Sequence, residues 1–159
     1  QEIAHDGGLG HKRGELLRKM NRLRIILDVT HLNDSSFWEA MDVFEIPVWA
    51  SHSNCRALVP NDWQFYDDQI KCLIERGAVI GGVLDAWMLS PYWERGKFTL
   101  AESGVKLENV IDPMKQICEL AGNVNHVGIG TDLDRGYGKE QSSEDLGTIA
   151  DLQGLPDSF

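Results

Sequence analysis

Apolar positions along the chain alternate between two spacings. From His11 to Leu23 they recur at helical intervals, with Leu16, Leu17, Met20 and Leu23 on one face. Arg24-Ile-Ile-Leu-Asp-Val-Thr-His31 is an unbroken β-branched run of the kind that forms a strand buried on both faces. Ser36-Phe-Trp-Glu39 has the capping-box form and predicts a helix to about Phe44. A second short strand follows at Pro47-Val-Trp-Ala-Ser-His52, then a helix from Tyr66 to Arg76 stopped by Gly77. Ala78-Val-Ile-Gly-Gly-Val-Leu84 reads as the third strand. An insertion, Asp85 to Lys106, carries Trp87, Tyr92, Trp93 and Phe98, and fits either a lid over a site or a satellite hydrophobic cluster. Lys106 to Ala121 has helical spacing, with Pro113 either kinking the helix or marking its true first turn. His126-Val-Gly-Ile-Gly-Thr-Asp132 is the fourth strand, and Ser142 to Leu152 predicts a last helix with Leu146, Ile149 and Leu152 inward.

Helix and strand thus alternate four times across short connections, the signature of a parallel sheet covered by helices. Two α/β architectures fit: an open doubly wound sheet, or roughly the last four units of a (β/α)₈ TIM-type barrel. A whole barrel needs about 250 residues, so the 159 here would be about half of one. No strand is followed by GxGxxG or GxxxxGK[ST], which removes the usual nucleotide-binding versions of the open sheet. A four-strand slice would leave open sheet edges, and the expectation is edge-to-edge association or aggregation unless further strands cover them.

Composition narrows the partners. With 42% hydrophobic residues the chain reads as one globular domain, residues 1–159. The formal charge of -10, from 25 acidic and 15 basic residues, argues against nucleic acid. Cys55, Cys72 and Cys118 are odd in number and form no CxxC pair, so reduced core cysteines are expected. No apolar run reaches the roughly 20 residues that span a bilayer, and no secretory signal opens the chain. A cytoplasmic protein is expected rather than a secreted one, with a homo-oligomer as one possible state.

The polar residues gather at the carboxyl ends of three strands: Asp28-Val-Thr-His31, Ala50-Ser-His-Ser53 and Gly130-Thr-Asp-Leu-Asp134. In parallel α/β folds that end is where sites are built. Two imidazoles and one or two carboxylates converging there suit Zn²⁺, whose open position would lower the pKa of bound water towards 7. Ser51 and Ser53 flank His52, but no Gly-x-Ser-x-Gly elbow surrounds either, so a serine hydrolase is disfavoured. His5, His11 and His126 lack such company and read as surface or supporting residues.

Taken in order, Leu27-Asp-Val-Thr-His31, Pro47-Val-Trp-Ala-Ser-His-Ser-Asn54, Gly77-Ala-Val-Ile-Gly81 and His126-Val-Gly-Ile-Gly-Thr-Asp-Leu-Asp134 resemble the renal (membrane) dipeptidase family of zinc peptidases. The resemblance implies a C-terminal portion of a barrel whose complete site holds two zinc ions and hydrolyses the peptide bond of dipeptides. It implies that His31 and His52 are metal ligands and that Asp132 handles protons beside them. The family's His-x-Asp pair and bridging glutamate have no counterpart in this chain. Its substrate-gripping arginine, eleven residues after the second histidine, is Trp63 here, and an indole cannot make the bidentate pair that arginine makes with a carboxylate. Arg56 matches a different family position, Arg135 replaces the glycine ending the Asp-x-Asp-Gly turn, and Pro113 stands where a histidine is common. The alternative is a non-catalytic or substrate-shifted relative, either a binding module or another amide hydrolase. No substrate-binding residue is assigned by the sequence.

Overall fold

A computed structural model of the chain describes residues 7–133 and 138–158. His5, Asp134 and Arg135 lie outside the described residues. The order of elements is α1 (Gly10–Leu23), β1 (Leu27–Asp28), α2 (Asp34–Val43), β2 (Val48–Trp49), α3 (Asp67–Glu75), β3 (Ile80–Gly82), α4 (Ala86–Leu89), α5 (Leu100–Ser103), α6 (Ile111–Ala121) and β4 (Val127–Ile129). Turns of 3₁₀ helix cover Leu107–Val110, Lys139–Gln141 and Ile149–Ser158.

All four strands are present and parallel, but each is shorter than its apolar run. β1 pairs with β2 through Leu27↔Val48, and β3 with β4 through Ile80↔Val127. A single bridge, Ala50↔Ile80, joins the two pairs, so the strands follow one another in chain order. The regular ladder stops where residues 50–53 and 81–84 begin to bond across with loop geometry, as in Ser53 N–H to Gly81 O at 2.8 Å. Among the described residues the strands do not close into a barrel. The register puts Val29, Ala50 and Ile80 on one face, where helices bury all three. Trp49 and Val79 fall on the opposite face and are exposed.

The main core lies on the helical side, around Val29, Phe37, Phe44, Ile70, Leu73 and Ile117. A second cluster, Leu84, Val110, Ile111, Met114, Leu146 and Leu155, continues it behind β3. Two local expectations change. Asn33, not Ser36, caps α2, its Oδ1 accepting the Ser36 N–H at 2.8 Å. The predicted helix from Ser142 to Leu152 does not form, because its backbone is tied elsewhere. Glu144 N–H donates to Val105 O at 2.7 Å, and Asp145 Oδ1 takes the Leu107 N–H at 2.8 Å. Helical turns begin only at Ile149, which is itself exposed. Pro113 occupies the first turn of α6, where a missing N–H costs nothing.

Candidate metal centre

At the carboxyl end of β1 and β2, Asp28 acts as the organiser. Its Oδ1 accepts the backbone N–H of Thr30 at 3.0 Å and of Ser51 at 3.1 Å, locking one strand end to the next. Burial alone would raise the Asp28 pKa, but the hydrogen bonds from Ser51 and Thr30 prevail and hold it below the usual carboxylate range. Thr30 Oγ1 in turn accepts from the His52 N–H at 3.3 Å and from Ser51 Oγ at 3.4 Å. Gly81 and Gly130 close the arrangement from the other pair of strands. A Cβ on either would run into the Ser51 carbonyl, so the sheet passes here only without side chains.

This frame brings the three sequence-derived site residues together. His52 Nδ1 is hydrogen-bonded to Ser51 Oγ at 2.8 Å, which turns Nε2 toward the opening. His52 Nε2 lies 2.9 Å from His31 Nε2 and 3.7 Å from Asp132 Oδ2. His31 and Asp132 both have left-handed backbone, φ 70° and 58°, a conformation uncommon for residues with side chains and concentrated at functional sites.

The donor set fits part of a zinc site. Two imidazole nitrogens held about 2.0–2.1 Å from one tetrahedral ion sit about 3.3 Å apart, and the observed 2.9 Å is close to that span. Among the described residues no group of three His, Cys, Asp or Glu side chains has a metal-holding arrangement.

Other predicted residues fall elsewhere. His126 Nδ1–H donates to Ala78 O at 2.8 Å, just ahead of β3, and His11 is an exposed partner of Glu15 at 3.9 Å. Cys55 is buried and its thiol is pushed up to about 12 by burial, with Asp67 adding to it. Arg56 cannot stand in for the missing arginine. It is fixed on Asp34 by two bonds of 2.9 and 3.0 Å, gives Nε to Gln64 O at 2.7 Å, and stacks on Tyr66 at 3.9 Å.

Trp63 lies against the site. Its ring meets His31 edge-on at 4.8 Å, and Trp87 meets Trp63 at 6.4 Å. Within the insertion the satellite cluster forms: Trp93 packs with Ala86 and Val105, and Trp87 lies against it while meeting Trp63. Sequence reasoning missed Asp28 and Ser51 as positioning residues, and it missed Asp85. The signal for Asp85 was its place directly after the third strand run, the one strand end to which no polar role had been given.

The chain matches the membrane dipeptidase family (peptidase family M19) over residues 1–155. It is 29% identical over 151 residues to the dipeptidase aclJ of Aspergillus oryzae, covering 95% of this chain and 34% of that protein. It is 28% identical over 139 residues to the dipeptidase tcpJ of Claviceps purpurea, covering 87% and 30%. Among solved structures, an M19 metallopeptidase described as dipeptidase AC superposes with a TM-score of 0.77 at 24% identity, covering 92% of this chain and 39% of the other. A metallopeptidase of Rhodobacter sphaeroides, liganded with a phosphinate mimic of the dipeptide L-Ala-D-Ala, gives 0.76 at 23%, covering 92% and 38%. The chain spans less than half the length of these relatives. Among the described residues no helix is long and apolar enough to cross a membrane.

Proposed function

The chain belongs to the membrane dipeptidase family, and from that premise we propose that it forms part of the barrel of a zinc-dependent hydrolase acting on the amide bond of small peptides. The observation that carries the reading is the convergence of His31 Nε2, His52 Nε2 and Asp132 Oδ2 from three strand ends. In this reading the four parallel units are the C-terminal portion of a (β/α)₈ barrel, and the exposed Trp49 and Val79 line the face that further strands would cover.

His31 and His52 would hold the ion through Nε2. Zinc bound there would act as a Lewis acid and bring the pKa of a bound water close to neutrality. Ser51 fixes the His52 ring by taking up Nδ1, so the ligand nitrogen needs no reorganisation. Asp132, 3.7 Å from His52 Nε2, would accept a proton and return it to the leaving amine. Trp63, against His31, and Trp87, against Trp63, would border the ion on one side.

One observation favours a shifted substrate over an ordinary dipeptide: the indole of Trp63 occupies the ground beside His31, and the guanidinium of Arg56 is consumed by Asp34 and Tyr66.

The test is zinc content and chelator-sensitive hydrolysis of Ala-Ala and its amide by the full-length protein. His52→Ala should reduce bound zinc and turnover by at least about a hundredfold, the upper range for loss of a mere supporting partner. Absence of zinc by elemental analysis, or hydrolysis untouched by His52→Ala, would overturn the reading.

A further inference from the structure

Three residues beyond β3, at the opposite side of the site from β1, sits a carboxylate that the hydrolytic scheme does not use. Asp85 is 5% exposed, and Gln141, from the segment after β4, is 6% exposed. Asp85 Oδ2 accepts the Gln141 Nε2–H at 2.7 Å. Asp85 Oδ1 and Gln141 Oε1 are both buried and have no hydrogen-bond partner among the described residues. Because the amide gives its nitrogen to the carboxylate, its oxygen is fixed as an acceptor. Two acceptors therefore stay unmet on one touching pair, and a buried unmet acceptor destabilises the fold, the more so when charged. An alkylammonium, which has three N–H donors and no acceptor, can meet both.

The position of Asp85 is built rather than accidental. Asn54, two residues after His52, takes the Val83 N–H on Oδ1 at 3.2 Å and gives Nδ2 to Val83 O and Met88 O at 3.1 and 3.3 Å. That clamp spans the turn that carries Asp85. The surroundings are aromatic and acidic. The N–H groups of Trp87 lie near enough to Asp85 to favour its charged form without closing a bond to Oδ1, and Asp132 is close enough to oppose it. From Trp87 the ring contacts run through Trp63 to His31. A buried carboxylate oxygen and an amide oxygen that both lack a donor, bordered by the half-buried Trp87, are what an alkylammonium needs. The same set repels a carboxylate.

We propose that Asp85, Gln141, Trp63 and Trp87 form a subsite for the ammonium end of a small amide substrate, so that the centre selects a cation where an ordinary dipeptide presents its carboxylate. Because the two acceptors are shut off from solvent, the cation enters by displacing the half-buried Trp87 ring, carried on the four-residue α4. The subsite takes its place beside the reacting bond from the hydrolase reading, but its occupancy does not depend on turnover.

The probes are alaninamide, a cation without a carboxylate, and N-acetylalanine, a carboxylate without a cation. Each is titrated into the chelator-treated chain by calorimetry, with tryptophan fluorescence recorded alongside. Alaninamide should bind at least tenfold more tightly than N-acetylalanine and change the fluorescence. Asp85→Asn, which keeps the shape and the Gln141 contact, should weaken alaninamide at least tenfold, and Trp87→Phe about threefold, with circular dichroism unchanged. Equal or stronger binding of N-acetylalanine would overturn the proposal. So would alaninamide binding indifferent to Asp85→Asn, or no alaninamide binding at all, either of which makes the Asp85–Gln141 pair purely structural. Alaninamide binding retained in a full-length protein that hydrolyses nothing would sink the hydrolase reading and leave this subsite standing.

Discussion

Asp28, at the end of β1, and Asp85, just beyond β3, differ in almost everything but residue type. Asp28 is half-buried, and two backbone N–H groups from different strand ends converge on one of its oxygens. Its pKa lies below the ordinary value because those bonds, with the hydroxyls of Ser51 and Thr30, outweigh its desolvation. Asp85 is buried more deeply and meets one side-chain amide. Desolvation is its largest influence, the Gln141 bond and the nearby N–H groups of Trp87 offset it only in part, and Asp132 adds repulsion, so its pKa is pushed up to about 6. One end uses its carboxylate to hold the histidines still, with every donor supplied by the chain. The other keeps a charge in a place where the fold gains nothing from it. A carboxylate tied down by its own backbone is a scaffold, whereas one left short of donors is where the molecule's own interactions stop and a ligand's begin.

The largest effect that could break this contrast is in stability against pH. A carboxyl whose folded pKa exceeds its unfolded value near 3.8 keeps its proton longer in the native state, so the native state loses stability as pH rises from about 4 to 6 and stays lower above that. A shift from 3.8 to about 6 corresponds to a penalty of at most about 3 kcal/mol at neutral pH. Asp85→Asn should therefore raise stability at pH 7.5 by up to about 3 kcal/mol, and the gain should shrink toward zero at pH 4. Asp28 has the opposite sign: its contribution is present above its unfolded pKa and lost as pH falls through the lower folded value, so Asp28→Asn should destabilise at pH 7.5. Urea titrations of both variants at the two pH values measure this. If Asp85→Asn destabilises at pH 7.5 as Asp28→Asn does, the distinction between the two ends fails.

The next effect sharpens the scaffold side. Ser51 Oγ holds His52 Nδ1 and leans on Thr30, and a partner of this kind is worth about ten- to hundredfold in metal affinity. Ser51→Ala should weaken zinc binding by that factor, read by competition with a chromogenic chelator, while leaving the urea midpoint nearly unchanged. A variant that binds zinc as tightly as the parent chain would mean that the ring of His52 is oriented by its packing alone.

Much of this end of the molecule was legible beforehand. The helix–strand alternation gave four parallel strands in chain order, and the polar residues closing the first, second and fourth runs do meet. Strand lengths were not legible, because apolar runs such as 24–31 and 78–84 report burial, while pairing depends on neighbours that the run does not name. The failed helix at 142–152 has the same origin. Its apolar spacing is real, and Leu146 is buried, but Glu144 and Asp145 bond to Val105 and Leu107 far away in sequence. Asp85 escaped notice because a single carboxylate after a strand carries no pattern. Only its burial and the unpaired Oδ1 set it apart, and neither is written in the order of residues.

The smallest effect tests whether Trp63 and Asp85 belong to one choice. Trp63 touches His31 on one side and Trp87 on the other, and Trp87 adjoins Asp85, so a long cationic side chain at position 63 would begin beside His31 and extend toward the unmet acceptors. Trp63→Arg supplies five N–H donors in a planar fork, enough for Asp85 Oδ1 and for an incoming carboxylate together. Two changes should follow at once. Alaninamide binding should fall, because a resident guanidinium now occupies the ammonium's place. N-acetylalanine binding should rise by about tenfold, the value of one partly solvated charge-assisted pair, about 1.4 kcal/mol. The double variant with Asp85→Asn separates the parts. If the guanidinium is held by Asp85, removing that carboxylate should change N-acetylalanine binding in the Trp63→Arg background far more than in the parent chain, a coupling that independent sites lack. Additive effects of the two substitutions would show that Trp63 and Asp85 act separately, and that the loss of the arginine and the unpaired carboxylate are unconnected facts about this chain.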